Sequence, residues 1–377
     1  MTSGLDPIFR LVDGANCDQN IDTSTVNGRR KAYSLLMKKG IFRISLDVPQ
    51  NAEFNVLSVV NPYGCGNPAT LSVYRRPLPA ANLRFLSTVM WDGRESSTQT
   101  GTQKITYMTN PDDLKTDLAH QAFDATNGHA QATTPLTAQQ QNDIVDFEMN
   151  LIAAQAYDYK AGALHGNGAN GGPQAIAQDT TQLFYIGIND PLDQNPSGAA
   201  FTPVIFNLFD AWADAKDNRR ASIARGQALF NSKTINITNV AGLNDDLKTP
   251  SISGTCGTCH DTPNAGNHSV SAPLNIGVGD PDSTLDVSYL PVITLQNKTT
   301  HEIKVTTDPG RSLITGAWQD VGRMKGPVLR GLASRAPYFH NGSADSLSDV
   351  LEFYNNRFNI HLTAREKKDL IAFLNSL

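Results

Sequence analysis

The sequence predicts a helical protein built from two related domains. Its 377 residues are too many for one compact module and suggest about two domains, at roughly 100 to 200 residues each. One helix-like segment occurs near the middle of the chain and again at its end. Hydrophobic residues make up 40% and charged residues 18% of the chain, as is typical of globular proteins.

The repeated segment is the clearest local signal. Residues 136–151 align without a gap on residues 362–377. Both copies begin with a capping box, in which a hydroxyl and a side chain three positions later satisfy each other's backbone amides: Thr137 with Gln140, and Thr363 with Glu366. In the second copy four apolar residues share one helix face: Leu370, Phe373, Leu374 and Leu377. Both segments are therefore predicted to be helices with the same start.

The apolar face of the C-terminal helix needs a packing partner. We expect this partner to be residues 221–230, in which Gly226 and Phe230 lie one helical turn apart. A glycine lets a second helix cross closely, and Phe230 fills the space beside the crossing.

A looser match extends the repeat. Residues 76–93 resemble residues 327–342 when a gap of one residue is allowed. We therefore predict a duplicated architecture in which residues 1–160 form the first domain and residues 216–377 the second. Residues 161–215 connect them, and their richness in Gly, Asn, Gln and Pro predicts a path over the surface.

Cys256, Cys259 and His260 form the haem-attachment pattern C-x-x-C-H. Two thiols at this spacing can reach the two vinyl groups of one porphyrin, and the adjacent histidine then faces the iron. A redox dithiol or half of a zinc site are the alternatives, but the sequence has no second C-x-x-C to complete four zinc ligands. We therefore predict one covalently attached haem c with His260 as the proximal iron ligand.

The first domain lacks this pattern. The equivalent place falls near residues 7–10 and Cys17, and no histidine occurs before His120. The first domain is thus predicted to keep the scaffold of a haem domain without a haem. Cys17 and Cys65 form a disulfide if the compartment is oxidising, or else are two buried free thiols.

Composition excludes several classes of partner. The net charge is −5 without a long basic run, so no nucleic acid is expected to bind. The sequence has no run of about 18 apolar residues, so no transmembrane segment is expected. The start shows no signal peptide. Because haem is attached to C-x-x-C-H outside the cytoplasm, we expect a periplasmic or otherwise exported protein whose leader is not in this numbering.

The chain resembles the bacterial di-haem cytochrome c peroxidases and the related MauG-type enzymes. The resemblance rests on motifs in a fixed order: residues 76–94, 225–230, 256–260, 325–330, 336–342 and 373–377. The family has two all-helical, cytochrome-c-like domains whose haem sites face each other. The resemblance therefore implies an all-α fold class with long irregular loops, in which only the C-terminal haem motif is retained.

The resemblance also implies site residues. His260 matches the proximal ligand, and Tyr354 matches the second ligand of that haem, a Met in the peroxidases and a Tyr in the MauG-like enzymes. Trp91 resembles the tryptophan between the two haems. The family has a calcium ion at the domain junction, for which no ligands can be assigned in this sequence. Because the missing haem is the one that reacts with peroxide in the family, peroxidase activity does not follow directly.

Each candidate also has a structural interpretation. Tyr354 is either an iron ligand or a helix tyrosine that meets a propionate or the backbone. Met324 is a rival ligand or a core residue. His340 is a distal acid or base, or a structural hydrogen-bonding group at the junction.

Three further residues are judged in the same way. Trp91 relays electrons or packs the interface between the halves. Arg330 is predicted to pair with a haem propionate, with a cap or ion pair as the alternative. His268 is more readily explained as a surface histidine than as a group at the haem edge.

Together these features predict a single-haem oxidoreductase that reacts with peroxide or a related oxidant. Its electrons are expected from a redox partner protein, a small cytochrome or a cupredoxin, or from a small-molecule donor. The alternative is an electron-transfer cytochrome without peroxidase activity. A tyrosinate ligand would lower the iron's potential and so favour oxidative chemistry.

Overall fold

The computed structural model describes residues 15–17, 20–95, 111–130, 132–179, 184–193, 195–270 and 272–377. The α-helices of this part are α1 (Val26–Ala32), α2 (Ser34–Lys39), α3 (Pro111–Asp124), α4 (Ala138–Asn150), α5 (Pro173–Asp179), α6 (Asn218–Ser232), α7 (Ser312–Thr315), α8 (Leu347–Arg357) and α9 (Ala364–Leu374). The strands are β1 (Phe42–Asp47), β2 (Phe54–Val60), β3 (Thr70–Arg75), β4 (Tyr157–Asp158), β5 (Gly162–Ala163), β6 (Ile235–Ile237), β7 (Ile252–Gly254), β8 (Val292–Asn297) and β9 (Ile303–Thr306).

The predicted all-α fold class is wrong. Antiparallel sheets lie between the helices, and the largest described one has the strand order β2-β8-β9. Its central strand β8 alternates half-buried and buried residues, with Ile293 and Leu295 completely enclosed. This period of two, with β-branched residues in the first half of the run, is typical of a strand. The all-α expectation was implied by the resemblance to a helical family, and this pattern contradicts it.

The sheet also joins distant parts of the chain. Phe54 in β2 pairs with Asn297 in β8, and Ile293 pairs with Thr306 in β9. Trp318 packs against Phe54 with ring centroids 6.4 Å apart. The first half thus contributes one strand to a sheet that the second half completes.

The two predicted helices exist as α4 and α9, and both capping boxes are present. The predicted crossing of α6 and α9 is also confirmed. A Cβ atom on Gly226 would lie 2.0 Å from the carbonyl oxygen of Asp369, so only glycine fits there. Phe230 packs edge-on against Phe373 at 5.7 Å between ring centroids. This crossing forms one wall of the second half.

The looser repeat is equally regular in the backbone. The amide of Asn82 donates to the Leu151 carbonyl at 2.8 Å, and the amide of Gly331 donates to the Leu377 carbonyl at 2.8 Å. Met90 and Gly93 have a positive φ, as do Phe339 and Gly342. An antiparallel bridge joins Val89 to Glu95 in the first copy, and an equivalent bridge joins Tyr338 to Ala344 in the second. From Asn82 to Glu95, each residue is equivalent to the one 249 positions later, so this register needs no gap, whereas Leu151 and Leu377 are 226 positions apart.

The two copies meet through reciprocal hydrogen bonds. The amide of Arg76 donates to the carbonyl of His340 at 2.6 Å, and the amide of Lys325 donates to the carbonyl of Trp91 at 2.7 Å. Arg76 is equivalent to Lys325, and Trp91 to His340, in the same register. The rings of Trp91 and His340 lie edge-on, with centroids 6.1 Å apart. A pseudo-twofold axis therefore passes between these two rings.

Cys17 and Cys65 are joined in a disulfide with their Cα atoms 5.4 Å apart, so the first of the two predicted alternatives is correct. Residues 7–10, where the first copy would carry its haem motif, lie outside the described residues.

The connecting segment is more buried than its composition suggested. Phe206, Phe209 and Trp212 are buried in the core of the second half. Within the described part of the chain, no helix has both the length and the apolar character needed to cross a membrane.

Candidate haem-binding site

The predicted attachment residues line a cavity in the second half. Cys256, Cys259 and His260 face it together, and its volume is about 250 Å³. Apolar side chains from α6, α8, α9 and the short strands make up most of the wall: Leu229, Phe230, Ile235, Ile237, Leu274, Ile276, Leu347, Leu351, Phe358, Leu370 and Leu374. An apolar cavity beside two thiols and an imidazole fits a porphyrin that is attached on one edge.

A capped turn holds the attachment motif. Cys256–Thr258 form a single 3₁₀ turn, and the Thr255 hydroxyl accepts a hydrogen bond from the Gly257 amide at 3.1 Å. Burial raises the pKa of both thiols to about 12. Both cysteines are therefore neutral thiols, and the structure pairs neither of them in a disulfide.

His260 is oriented by the loop that follows it. Its Nδ1 donates to the Gly266 carbonyl at 2.7 Å, which leaves Nε2 as the nitrogen available to the cavity. Burial lowers the pKa of His260. A neutral imidazole with a fixed Nδ1 hydrogen is the form that ligates haem iron.

Two candidate second ligands line the same cavity. Tyr354 lies on α8, and its ring stacks on Phe358 with centroids 6.3 Å apart. Burial raises the pKa of Tyr354, so the phenol is protonated in this environment. Met324 is held by paired backbone hydrogen bonds to Leu274, 2.9 Å in each direction. Both alternatives from the sequence thus remain at the site.

The wall at the domain junction is polar. His340 lines the cavity, and its Nε2 is buried without a hydrogen-bond partner among the described residues. Burial lowers the pKa of His340 to about 4, so its ring is neutral near pH 7. Trp91 lies beside it and donates through Nε1 to the Arg76 carbonyl at 2.7 Å. The structure therefore brings His340 and Trp91 together at the cavity.

Lys325 is a residue of the site that was not singled out from the sequence. It lines the cavity at 5% exposure, and burial lowers its pKa to about 7. The signal available in the sequence is a lysine in the segment 325–330, which also contains Arg330.

Arg330 lies elsewhere. It is completely buried and donates to the carbonyls of Asn264 at 3.2 Å and Gly172 at 3.3 Å, outside the cavity lining. It therefore ties the loop after His260 to the connecting segment, and its contact with a propionate stays a prediction.

His268 is buried, which contradicts its interpretation as a surface histidine. Its exposure is 6%, and Nδ1 is 2.8 Å from Oδ2 of Asp261, while the ring lines the cavity. A histidine needs such a partner in a protein interior. Asp261 is seven residues away in the chain, and only the path of the intervening loop brings the two side chains together.

The junction is fastened by a buried ion network next to the cavity. Arg75 donates through Nε and Nη2 to the two carboxylate oxygens of Asp308, at 2.7 and 2.9 Å, and through Nη1 to Asp92. Burial alone would raise the pKa of Asp92, but Arg94 and Arg75 hold it below its usual value. The network links the two halves, because Arg75 and Asp92 belong to the first and Asp308 to the second.

The expected calcium ion has no assigned ligands in the sequence. In the described ranges, potential metal ligands gather at Glu95, His120 and Asp124. Oε2 of Glu95 lies 2.6 Å from Nδ1 of His120, whose side chain is half exposed. This contact is a hydrogen bond, and it lies in the first half, away from the residues of the cavity.

Comparison with known proteins gives partial matches. No protein-family model matches the chain. The cytochrome-c peroxidase IdrP1 of Pseudomonas sp. (strain SCT) is 29% identical over 190 residues, which cover 45% of this chain and 43% of that protein. The cytochrome-c peroxidase IdrP2 of Denitromonas iodatirespirans is 31% identical over 135 residues, covering 33% of this chain and 36% of that protein. The chain thus spans less than half the length of the curated relatives it matches.

A solved structure is also similar. It is a MauG-like protein associated with microbial copper homeostasis, with a TM-score of 0.36 and 16% identity, and the match covers 84% of this chain and 77% of that chain.

Thiols and a histidine in C-x-x-C-H spacing, set at an apolar cavity, are the arrangement expected of a haem c protein. The resemblance found in the motifs is confirmed by the peroxidase relatives. The matched segments of this chain are thus similar in sequence to cytochrome c peroxidases. The sequence contains a single C-x-x-C-H motif, at residues 256–260.

Proposed function

We propose that the protein is an exported, single-haem oxidoreductase of the peroxidase kind. The haem is attached to Cys256 and Cys259 and ligated by His260. When bound, it supplies an iron that takes electrons from a donor and passes them to peroxide or a related oxidant. The observation that carries the proposal is one cavity that joins the attachment residues to a polar wall with His340.

His340 is proposed to handle protons at that wall. Reduction of a peroxide needs a group that accepts a proton from one oxygen and returns it to the leaving oxygen. The buried Nε2 of His340 lacks a hydrogen-bond partner among the described residues, and its ring is neutral near pH 7. It is therefore able to accept a proton at Nε2 and to release it again.

Trp91 is proposed to orient His340 and to lie on the route of electrons from the donor. Its Nε1 hydrogen bond to the Arg76 carbonyl and its edge contact with the His340 ring fix both rings at the junction. The donor is proposed to be a small cytochrome, a cupredoxin or a small molecule.

The second candidate function is electron transfer without peroxidase activity. Tyr354 and Met324 both line the cavity, and either one as a strong second ligand would keep oxidants from the iron. The two functions share the attachment site, so replacing Cys256 or Cys259 does not separate them.

The absorption spectrum of the purified ferric protein, before and after hydrogen peroxide is added, separates the two functions. The peroxidase proposal expects a high-spin or displaceable spectrum that changes within the mixing time. In Tyr354→Phe we expect the haem to stay attached. A changed spectrum would identify Tyr354 as a ligand, and an unchanged one would exclude it. A low-spin spectrum that does not respond to peroxide in either protein would contradict the proposal and favour electron transfer.

A further inference from the structure

We infer that Lys325 is the positioning residue that neutralises a haem propionate, in place of Arg330. The inference rests on the proposed haem attachment and assigns a charge partner to the cofactor within that cavity. Nothing in the family motif or in the sequence pattern gave Lys325 this role, which follows from where its ammonium group lies.

The ammonium group of Lys325 is buried and unpaired. The residue is 5% exposed, and its Nζ has no hydrogen-bond partner among the described residues. The nearby charge of Arg335, which is another cation, further disfavours the charged form of Lys325 and lowers its pKa. Burying a charge without a partner costs several kcal/mol in a protein interior. An arrangement of this kind is stable when an anion enters from outside the chain.

The cavity wall contains no such anion in the described part of the chain. Its lining includes two lysines, Lys233 and Lys325, but neither an aspartate nor a glutamate. Lys233 is already neutralised by Glu366, with Nζ 2.7 Å from Oε1. Of the two lysines in the described lining, Lys325 is therefore the one without a neutralising carboxylate.

The backbone fixes where this charge lies. The amide of Lys325 donates to the Trp91 carbonyl at 2.7 Å, which holds the residue at the polar wall beside His340. The next residue is also constrained, because a Cβ atom on Gly326 would lie 3.1 Å from the Cβ of His268. A porphyrin attached through its vinyl groups still carries two carboxylates, and an ammonium in the cavity is their natural partner.

Arg330 donates hydrogen bonds to backbone carbonyls. Its guanidinium donates to two backbone carbonyls, of Asn264 and Gly172, and the residue lies outside the cavity lining. These bonds explain why a buried arginine is needed there without any carboxylate of the cofactor. Lys325, which lines the cavity where Arg330 does not, is therefore the better placed of the two cations to meet a propionate.

Removing this cation should favour the ferric state. A propionate that loses its counter-charge stabilises the extra positive charge of ferric iron, so the midpoint potential falls. At a fixed ambient potential, we expect the ferric-to-ferrous ratio to rise by about tenfold in Lys325→Met, from one uncompensated charge at the haem edge. Lys325→Arg keeps the charge and should stay close to the parent ratio.

The experiment is spectroelectrochemical titration of the purified haem protein and its variants. Lys233→Met is the matched control, because it also removes a lysine from the cavity wall, and we expect its ratio to change far less than that of Lys325→Met. Haem content by the pyridine haemochrome assay is measured in parallel. A protein without haem c would overturn the proposed function itself, whereas a haem-loaded Lys325→Met with the parent ratio would overturn only the role of Lys325.

Two further outcomes also decide the inference. If Lys233→Met shifts the ratio as much as Lys325→Met, the effect is one of net charge and the inference fails. If the parent's potential moves with acetate concentration while that of Lys325→Met does not, the ammonium binds a free anion, which also overturns it. Should Lys325→Met not fold, Lys325→Gln gives the same test with a polar side chain.

Discussion

Residues 89–95 and residues 338–344 have the same backbone conformation, but their side chains make different interactions. Both turns contain a positive φ at the second residue and close with an antiparallel bridge. In the first turn Asp92 binds Arg75, whereas Asn341 at the equivalent place donates to the Val278 carbonyl at 3.3 Å. Met324, which corresponds to Arg75, lines the cavity. The same backbone thus carries a buried ion network in one copy and lines the cavity of the C-x-x-C-H motif in the other.

The largest expected effect comes from breaking the ion network. Arg75→Met leaves the buried carboxylates of Asp92 and Asp308 without their shared cation, which should lower the free energy of unfolding by about 3–5 kcal/mol. Urea denaturation followed by circular dichroism measures the change.

Met324→Leu is the control at the equivalent position of the second copy. It exchanges one apolar side chain for another of similar volume and should cost less than about 1.5 kcal/mol. If the two variants lose equal stability, the contrast between a charged and an apolar position is wrong.

The next effect separates the chemistry of the two turns. His340→Gln removes the proposed proton-handling group and should slow the reaction with hydrogen peroxide by about 10²-fold or more. Trp91→Phe keeps an aromatic ring but loses the hydrogen bond to the Arg76 carbonyl, so we expect a smaller loss. Stopped-flow absorption of the ferric protein gives both rates, and a larger loss in Trp91→Phe would reverse the assignment.

Sequence reasoning found the parts of the site that depend on local pattern. The attachment motif, the capping boxes and the Gly226 crossing follow from spacing along the chain. Lys325 and His268 could not be placed, because their roles depend on what surrounds them in space. The β-sheet was not predicted, because its strands are short and come from distant parts of the chain, as β2 and β8 do.

Two buried aspartates, one in the α3–α4 pair and one in the α6–α9 pair, should affect stability at different pH values. Burial and the nearby charge of Glu95 raise the pKa of Asp117 on α3 to about 7. For Asp369 on α9, burial acts to raise the pKa, but the hydrogen bonds and charge of Arg225 lower it by more. Because folded Asp117 holds its proton more tightly than the unfolded chain does, stability should fall as the pH rises from about 4 to about 7. Asp369 contributes stability above pH 3.8, which is lost as the pH falls below that value.

Asp117→Asn should therefore flatten the decline between about pH 4 and about pH 7 and raise the Tm most at the upper end. Thermal unfolding at several pH values tests this. An unchanged slope would mean that another group titrates in that window.

The smallest effects test the equivalence of the repeated helices. Thr137→Ala and Thr363→Ala each remove a capping hydroxyl and should cost about 1 kcal/mol. Thr137→Ser and Thr363→Ser keep the hydroxyl and serve as controls. Chemical denaturation of the four variants should give matched pairs, and a difference of several kcal/mol between the two alanine variants would argue against equivalent helices.

The central claim is that only the second copy of the scaffold carries a haem. Haem content per chain tests it most directly, with the pyridine haemochrome assay and the intact mass of the protein produced in a host that attaches haem c. The account predicts one haem per chain and none in Cys256→Ala combined with Cys259→Ala. A chain with no haem, or a second haem that survives the double substitution, would contradict it.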